Sequence, residues 1–146
     1  MFFVDRSSGK RLADGLKELG LNVEKHDDHF AQNTLDIDWL EECGNRDWVI
    51  ISSDKAIKKN VLEKQALMEN KLASFFFTSA NLTAEQQIAI VQKAIKRIAN
   101  AIHSNKKPFI ARLSKDGEVE LWLNYKGEDL IARKQEMRRL KNQKPD

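Results

Sequence analysis

Short apolar runs alternate along this chain with stretches of helical period, and that alternation constrains the fold more than any other feature. Residues 2–5 (FFVD) read as a short buried strand, LNVEKH as a second and WVIIS as a third. ASFFFTS reads as a fourth, with the unbroken apolar run of a central position in a parallel sheet. Between them, SSGKRLADGLKELG repeats Leu12, Leu16 and Leu19 at helical spacing and stops at Gly20. Thr34 can cap a helix running through Ile37, Leu40 and Glu41, with acids in its first turn as the helix dipole prefers. VLEKQALMEN is a further helix.

The longest element is NLTAEQQIAIVQKAIKRIANAIHSN, where Ile88, Val91, Ile95, Ile98 and Ile102 make one apolar stripe. Thr83 followed by Gln86 is a capping box at its start. PFIARLSKDGEVELWLNYKGEDL reads as a β-hairpin turning at KDGE. The expected fold is therefore α/β: three layers, α/β/α, around a central, mainly parallel sheet with a C-terminal β-hairpin. Residues 1–125 would form the domain, and 126–146 a basic tail, helical in part or disordered.

A chain of 146 residues, 41% hydrophobic and 32% charged, fits one soluble domain with one core. It has no apolar run long enough for a bilayer span and no basic-then-apolar leader, so a cytoplasmic protein without membrane contact is expected. The single cysteine, Cys43, excludes an intramolecular disulfide and reads as a small core residue. The net charge of +3 is unevenly spread. Lys55, Lys58, Lys59 and Lys64 form one basic stretch, and no acid stands between Lys93 and Lys115. The tail RKQEMRRLKNQKPD is basic again, whereas acids gather in VEKHDDHF and LDIDWLEE. A basic rim around an acidic centre suits an anionic polymer bound over a metal; solvated helix faces explain the same pattern.

Ligands of open α/β sheets bind outside the carboxyl ends of the strands. Asp5 and Asp54 both stand at such ends, and Asp36 and Asp38 fall at or just inside the start of the helix between them. If the first and third strands are neighbours, these carboxylates can share one ion. Converging carboxylates repel one another at neutral pH, and a divalent cation relieves that repulsion. Hard oxygen donors without thiolate or clustered imidazole point to magnesium or manganese, and such a centre serves phosphodiester hydrolysis. Aspartate also ends strands simply to cap the next turn, so the structural alternative stays open. His26 and His29 bracket an acidic pair in a loop, His103 suits a helix C-terminus, and Trp39, Trp48 and Trp122 are spaced as core residues. No phosphate-cradling glycine loop is present.

The order of these pieces resembles the PIN-like superfamily of metal-dependent nucleases, and within it the compact VapC-type toxins of toxin–antitoxin pairs. The residues that carry the resemblance are FFVDRSSGKRLADGLKELG, HDDHF followed by LDIDWL, WVIISSDKAIKK, and SANLTAEQ with PFIARL, together covering roughly residues 2–113. The resemblance implies magnesium- or manganese-dependent cleavage of RNA, a cognate antitoxin that occludes the site, and room for a homodimer. Carried over, Asp5 matches the first-strand acid, Asp36 the acid opening the middle helix with Asp38 beside it, and Asp54 the acid after the third strand. Arg6, Lys10, Lys55 and Lys58 would meet substrate phosphate, with Asp28, Thr78 and Asn81 auxiliary. Longer PIN domains bring a further acid after the later strand, where this chain has Thr78, Ser79 and Asn81.

Two other classes fit parts of the pattern. A non-catalytic PIN-like module would keep the scaffold and bind RNA or protein. A phosphorelay receiver would use Asp5, a phosphoacceptor Asp54, Thr78 and the Lys107–Pro108 pair, but Lys107 follows a polar run and Arg6 stands where a second acid is expected.

Overall fold

The structure, a computed structural model, describes residues 1–4, 10–25, 36–53, 61–79 and 81–143, with the backbone alone at 25, 36–40, 53 and 61–64. Strands and helices alternate through it as β1 (Phe2–Val4), α1 (Lys10–Glu18), β2 (Val23–Lys25), α2 (Asp36–Asn45), β3 (Val49–Ser53), α3 (Val61–Glu69) and β4 (Ala73–Phe77). There follow α4 (Ala84–Ser104), β5 (Phe109–Leu113), β6 (Val119–Leu123) and α5 (Leu130–Asn142). The strands form one sheet in the order β2-β1-β3-β4-β5-β6. β1 to β5 are parallel, and β6 returns antiparallel beside β5. The expected α/β architecture, a mostly parallel sheet flanked by helices and ended by an antiparallel pair, is the one observed.

Alternation along the strands sorts the core into two layers. Val4, Val49, Ile51, Phe75, Phe77 and Phe109 are buried on one face under Leu12 and Leu16 of α1 and Val91 and Ile98 of α4. Phe3, Ile50, Phe76 and Ile110 are buried on the other face, under Cys43 of α2 and Leu67 of α3. Helices therefore cover both sides, which is why β3 and β4 read as unbroken apolar runs. Burial raises the Cys43 thiol well above its ordinary pKa, so it is a neutral core group at physiological pH. Trp48 stacks on Phe3 at 5.3 Å between centroids, and Trp122 packs half-buried at the edge of the same layer. The side chain of Trp39 and the proposed cap Thr34 lie outside the described residues.

The capping box at the start of α4 is present in both halves: Gln86 N donates to Thr83 Oγ1 at 3.1 Å and Thr83 N to Gln86 Oε1 at 2.8 Å. The buried stripe of α4 runs through Ile90, Val91, Ala94 and Ile98. Ile95, expected at its centre, is half-buried, because small Ala94 faces the sheet and Ile95 lies a third of a turn away. Two glycines let helices approach closely. A Cβ on Gly15 would overlap the side chain of Ile88, where α1 meets α4. One on Gly44 would stand 2.6 Å from the Asn70 carbonyl oxygen, where α2 meets the end of α3.

The hairpin turn is closed by Ser114 N donating to Glu118 O at 2.9 Å and Gly117 N to Ser114 O at 3.0 Å, with Gly117 at φ +81°. Residues 130–142 form α5. Asp129 caps it by accepting from Ala132 N at 2.9 Å, and Trp122 Nε1 donates to the other carboxylate oxygen of Asp129 at 3.3 Å. The start of α5 is thereby tied to β6, while none of its residues is buried. No helix among the described residues is long and apolar enough to cross a membrane.

Candidate functional site

The chain places β2 on one side of β1 and β3 on the other, so strand order reverses between β1 and β3. That is the position at which an open α/β sheet leaves a crevice outside its carboxyl ends. The neighbour relation on which the sharing of an ion depends is met: Val4, the last residue of β1, pairs with Ile51, and β3 continues through Ser52 and Ser53. Asp5 follows Val4 in the sequence and Asp54 follows Ser53. Both lie outside the described residues, as do Arg6, Asp28, Lys55 and Lys58.

Helices that follow parallel strands begin at the same edge. α2 opens on Asp36, with Asp38 in its first turn, and both are described as backbone only. Lys10 is the first residue of α1 and is exposed. Thr78 follows β4 and is half-buried, its N–H donating to Leu113 O at 3.0 Å. Asn81 is exposed, with a left-handed φ of 58°, in the turn before the Thr83 cap. Among the described residues no three His, Cys, Asp or Glu side chains gather closely enough to hold a metal.

One acid at this edge escaped the sequence reading. Glu85, in the first turn of α4, accepts from Arg11 Nε at 2.6 Å and from Arg11 Nη2 at 3.3 Å. Arg11 also reaches Glu18 at 3.4 Å. The Arg11 guanidinium, by hydrogen bond more than by charge alone, holds the Glu85 carboxyl below its usual range. Both groups are solvent-exposed, so the pair acts as a screened surface tie between the starts of α1 and α4. An acid in the first turn of a capped helix was a visible signal; its pairing with a residue 74 positions away was not.

Lys107 lies at the opposite edge. It precedes β5 and donates to Asp47 Oδ1 at 2.5 Å, and Asp47 in turn precedes β3. A receiver needs its lysine beside the phosphoacceptor at the carboxyl edge, so that arrangement is not formed here.

Residues 1–79 match the family described as PIN like domain, and the chain belongs to it. The matched segment holds β1 to β4 and so both strands of the reversal point. A curated protein of Mycobacterium tuberculosis (strain ATCC 25618 / H37Rv), named "Putative ribonuclease VapC45", is 28% identical over 107 residues, covering 68% of this chain and 75% of that protein. No solved structure matches the chain.

Proposed function

We propose that the protein is a metal-dependent endoribonuclease of PIN-like type, the toxin of a type II toxin–antitoxin pair, which hydrolyses RNA phosphodiester bonds at the carboxyl edge of its sheet. The observation that carries this reading is the direct pairing of β1 with β3, since the sequence continues from those two strand ends into Asp5 and Asp54. The family match and the ribonuclease-named relative support it.

In this reading Asp5, Asp36 and Asp54 hold the ion and Asp38 adds a fourth carboxylate. An all-carboxylate donor set fits magnesium or manganese. Such an ion, when bound, supplies a Lewis acid for the phosphate and lowers the pKa of a bound water. The chain's own part is to hold the acids on rigid strand ends and to neutralise phosphate with Arg6, Lys10, Lys55 and Lys58. Asp28, Thr78 and Asn81 orient RNA or solvent at the margin. The cognate antitoxin blocks the edge, and the protein acts in the cytoplasm.

Cleavage of a mixed pool of structured RNAs tests the proposal. Cutting is expected with manganese or magnesium, falling to background with chelator and returning when the ion is restored. A folded protein that binds RNA equally well with and without metal and never cuts it supports a second reading, a non-catalytic PIN-like binding module. One observation favours that reading: no acid follows β4 before Glu85, and Glu85 is engaged by Arg11.

A further inference from the structure

A second charged surface lies at the other end of the strands. β6 runs antiparallel to β5, so the residues leaving β6 arrive where the chain enters β5, at the amino edge. The turn there is firmly built. Asn124 Oδ1 accepts from Lys126 N at 3.1 Å and Glu128 N at 3.0 Å, and Gly127 takes φ +78°. On this turn Tyr125 leaves 45% of its surface exposed. Two ammonium groups flank its ring, Lys106 Nζ at 5.1 Å from the centroid and Lys126 Nζ at 5.7 Å.

α5 continues directly from this turn. Arg133 and Arg139 are paired with Glu128 and Glu136. Lys134, Arg138 and Lys141 have no ion-pair partner among the described residues, and all three are exposed. Their spacing, i, i+4 and i+7, puts them in one stripe of about 10 Å along a single face of the helix. An exposed ring between two cations, continued by a row of unpaired cations, matches a nucleotide chain: a base for the ring and successive phosphates for the charges.

We propose that the Tyr125 turn and α5 form an RNA-holding surface at the amino edge, where a base stacks on Tyr125 and Lys106, Lys126, Lys134, Arg138 and Lys141 neutralise phosphates. The proposal rests on the reading of the carboxyl edge as an RNA-cleaving site. Five-residue strands separate the two edges by about 17 Å, so a structured RNA that reaches the carboxylates extends onto this surface. The surface adds affinity and orientation without touching the reacting phosphate.

The test is fluorescence anisotropy of a labelled RNA hairpin with a single-stranded tail, in chelator and over a range of potassium chloride. Replacing Lys134, Arg138 and Lys141 together by Gln should raise Kd at least about tenfold and flatten the slope of log K against log salt by about 2. Tyr125→Ala should raise Kd about tenfold with little change in slope, and Tyr125→Phe should restore binding. Circular dichroism checks that α5 persists. Unchanged Kd and slope in folded variants overturn the proposal, and so does failure of the parent protein to bind the RNA. Loss of binding to polyglutamate with RNA affinity intact also overturns it, assigning the surface to an acidic protein. Because binding is read without metal, protein that binds through this surface but never cuts refutes the nuclease reading alone. Protein that cuts while its affinity ignores these variants refutes the surface alone.

Discussion

Asp54→Asn should leave the protein folded and lower its RNA cleavage at least about 100-fold, since loss of even an outer partner of a metal site costs about 10- to 100-fold. The substitution keeps the side chain's shape and removes its charge, so under the proposed assignment an ion held by carboxylates loses a ligand. Asp54 follows Ser53, the last residue of β3, in the sequence. Asp5→Asn, beyond β1, should act alike. Asp116→Asn, an exposed acid in the β5–β6 turn, is the control and should cut at the parent rate. Initial cleavage rates in saturating manganese, read beside thermal unfolding, decide the matter. Parent-like rates in both Asp54→Asn and Asp5→Asn would remove the site assignment.

The largest stability effect is expected at Phe75. Its side chain is fully buried in the middle of β4 and meets Phe109 edge to face at 5.7 Å between centroids. Phe75→Ala removes that contact and leaves a cavity between the sheet and α4, at a cost of about 3–5 kcal/mol. A domain of this size is stable by about 5–15 kcal/mol, so the variant would be marginal. In urea the midpoint should fall by about 2 M with the slope unchanged. Leu140→Ala on α5, where the side chain is 54% exposed, should move the midpoint by little. Equal shifts for the two would mean that β4 is not the centre of the core.

Much of the fold was legible because its signals are local. The buried strands announced themselves as apolar runs, Thr83 and Gln86 sit within one turn, and the β5–β6 hairpin needs only its own turn residues. What could not be read depends on neighbours far along the chain. Gly15 and Gly44 look like helix defects until Ile88 and the Asn70 carbonyl are seen against them. Residues 126–146 read as a basic tail, helical in part or disordered. The tie that holds the start of α5 to β6, the Trp122–Asp129 hydrogen bond, was not legible because it joins a strand to a cap. At the candidate site, the sequence put Asp5 and Asp54 at strand ends, but only the strand order makes those ends adjacent. Lys107 reveals the opposite case: grouped in sequence with Asp5, Asp54 and Thr78, it belongs to the far edge, where it donates to Asp47.

The family match closes at residue 79, between β4 and α4, yet the cooperative unit does not close there. β4 hydrogen-bonds to β5 along its full length, and Ala73–Phe77 are buried on every side. A polypeptide ending at Ser79 would present the run ASFFF as a bare sheet edge, flat, apolar and uncharged, which is the template on which strands of separate molecules add to one another. The later segment α4–β5–β6 thus covers, through the pairing of β5 with β4, an edge that would otherwise recruit strands from other molecules.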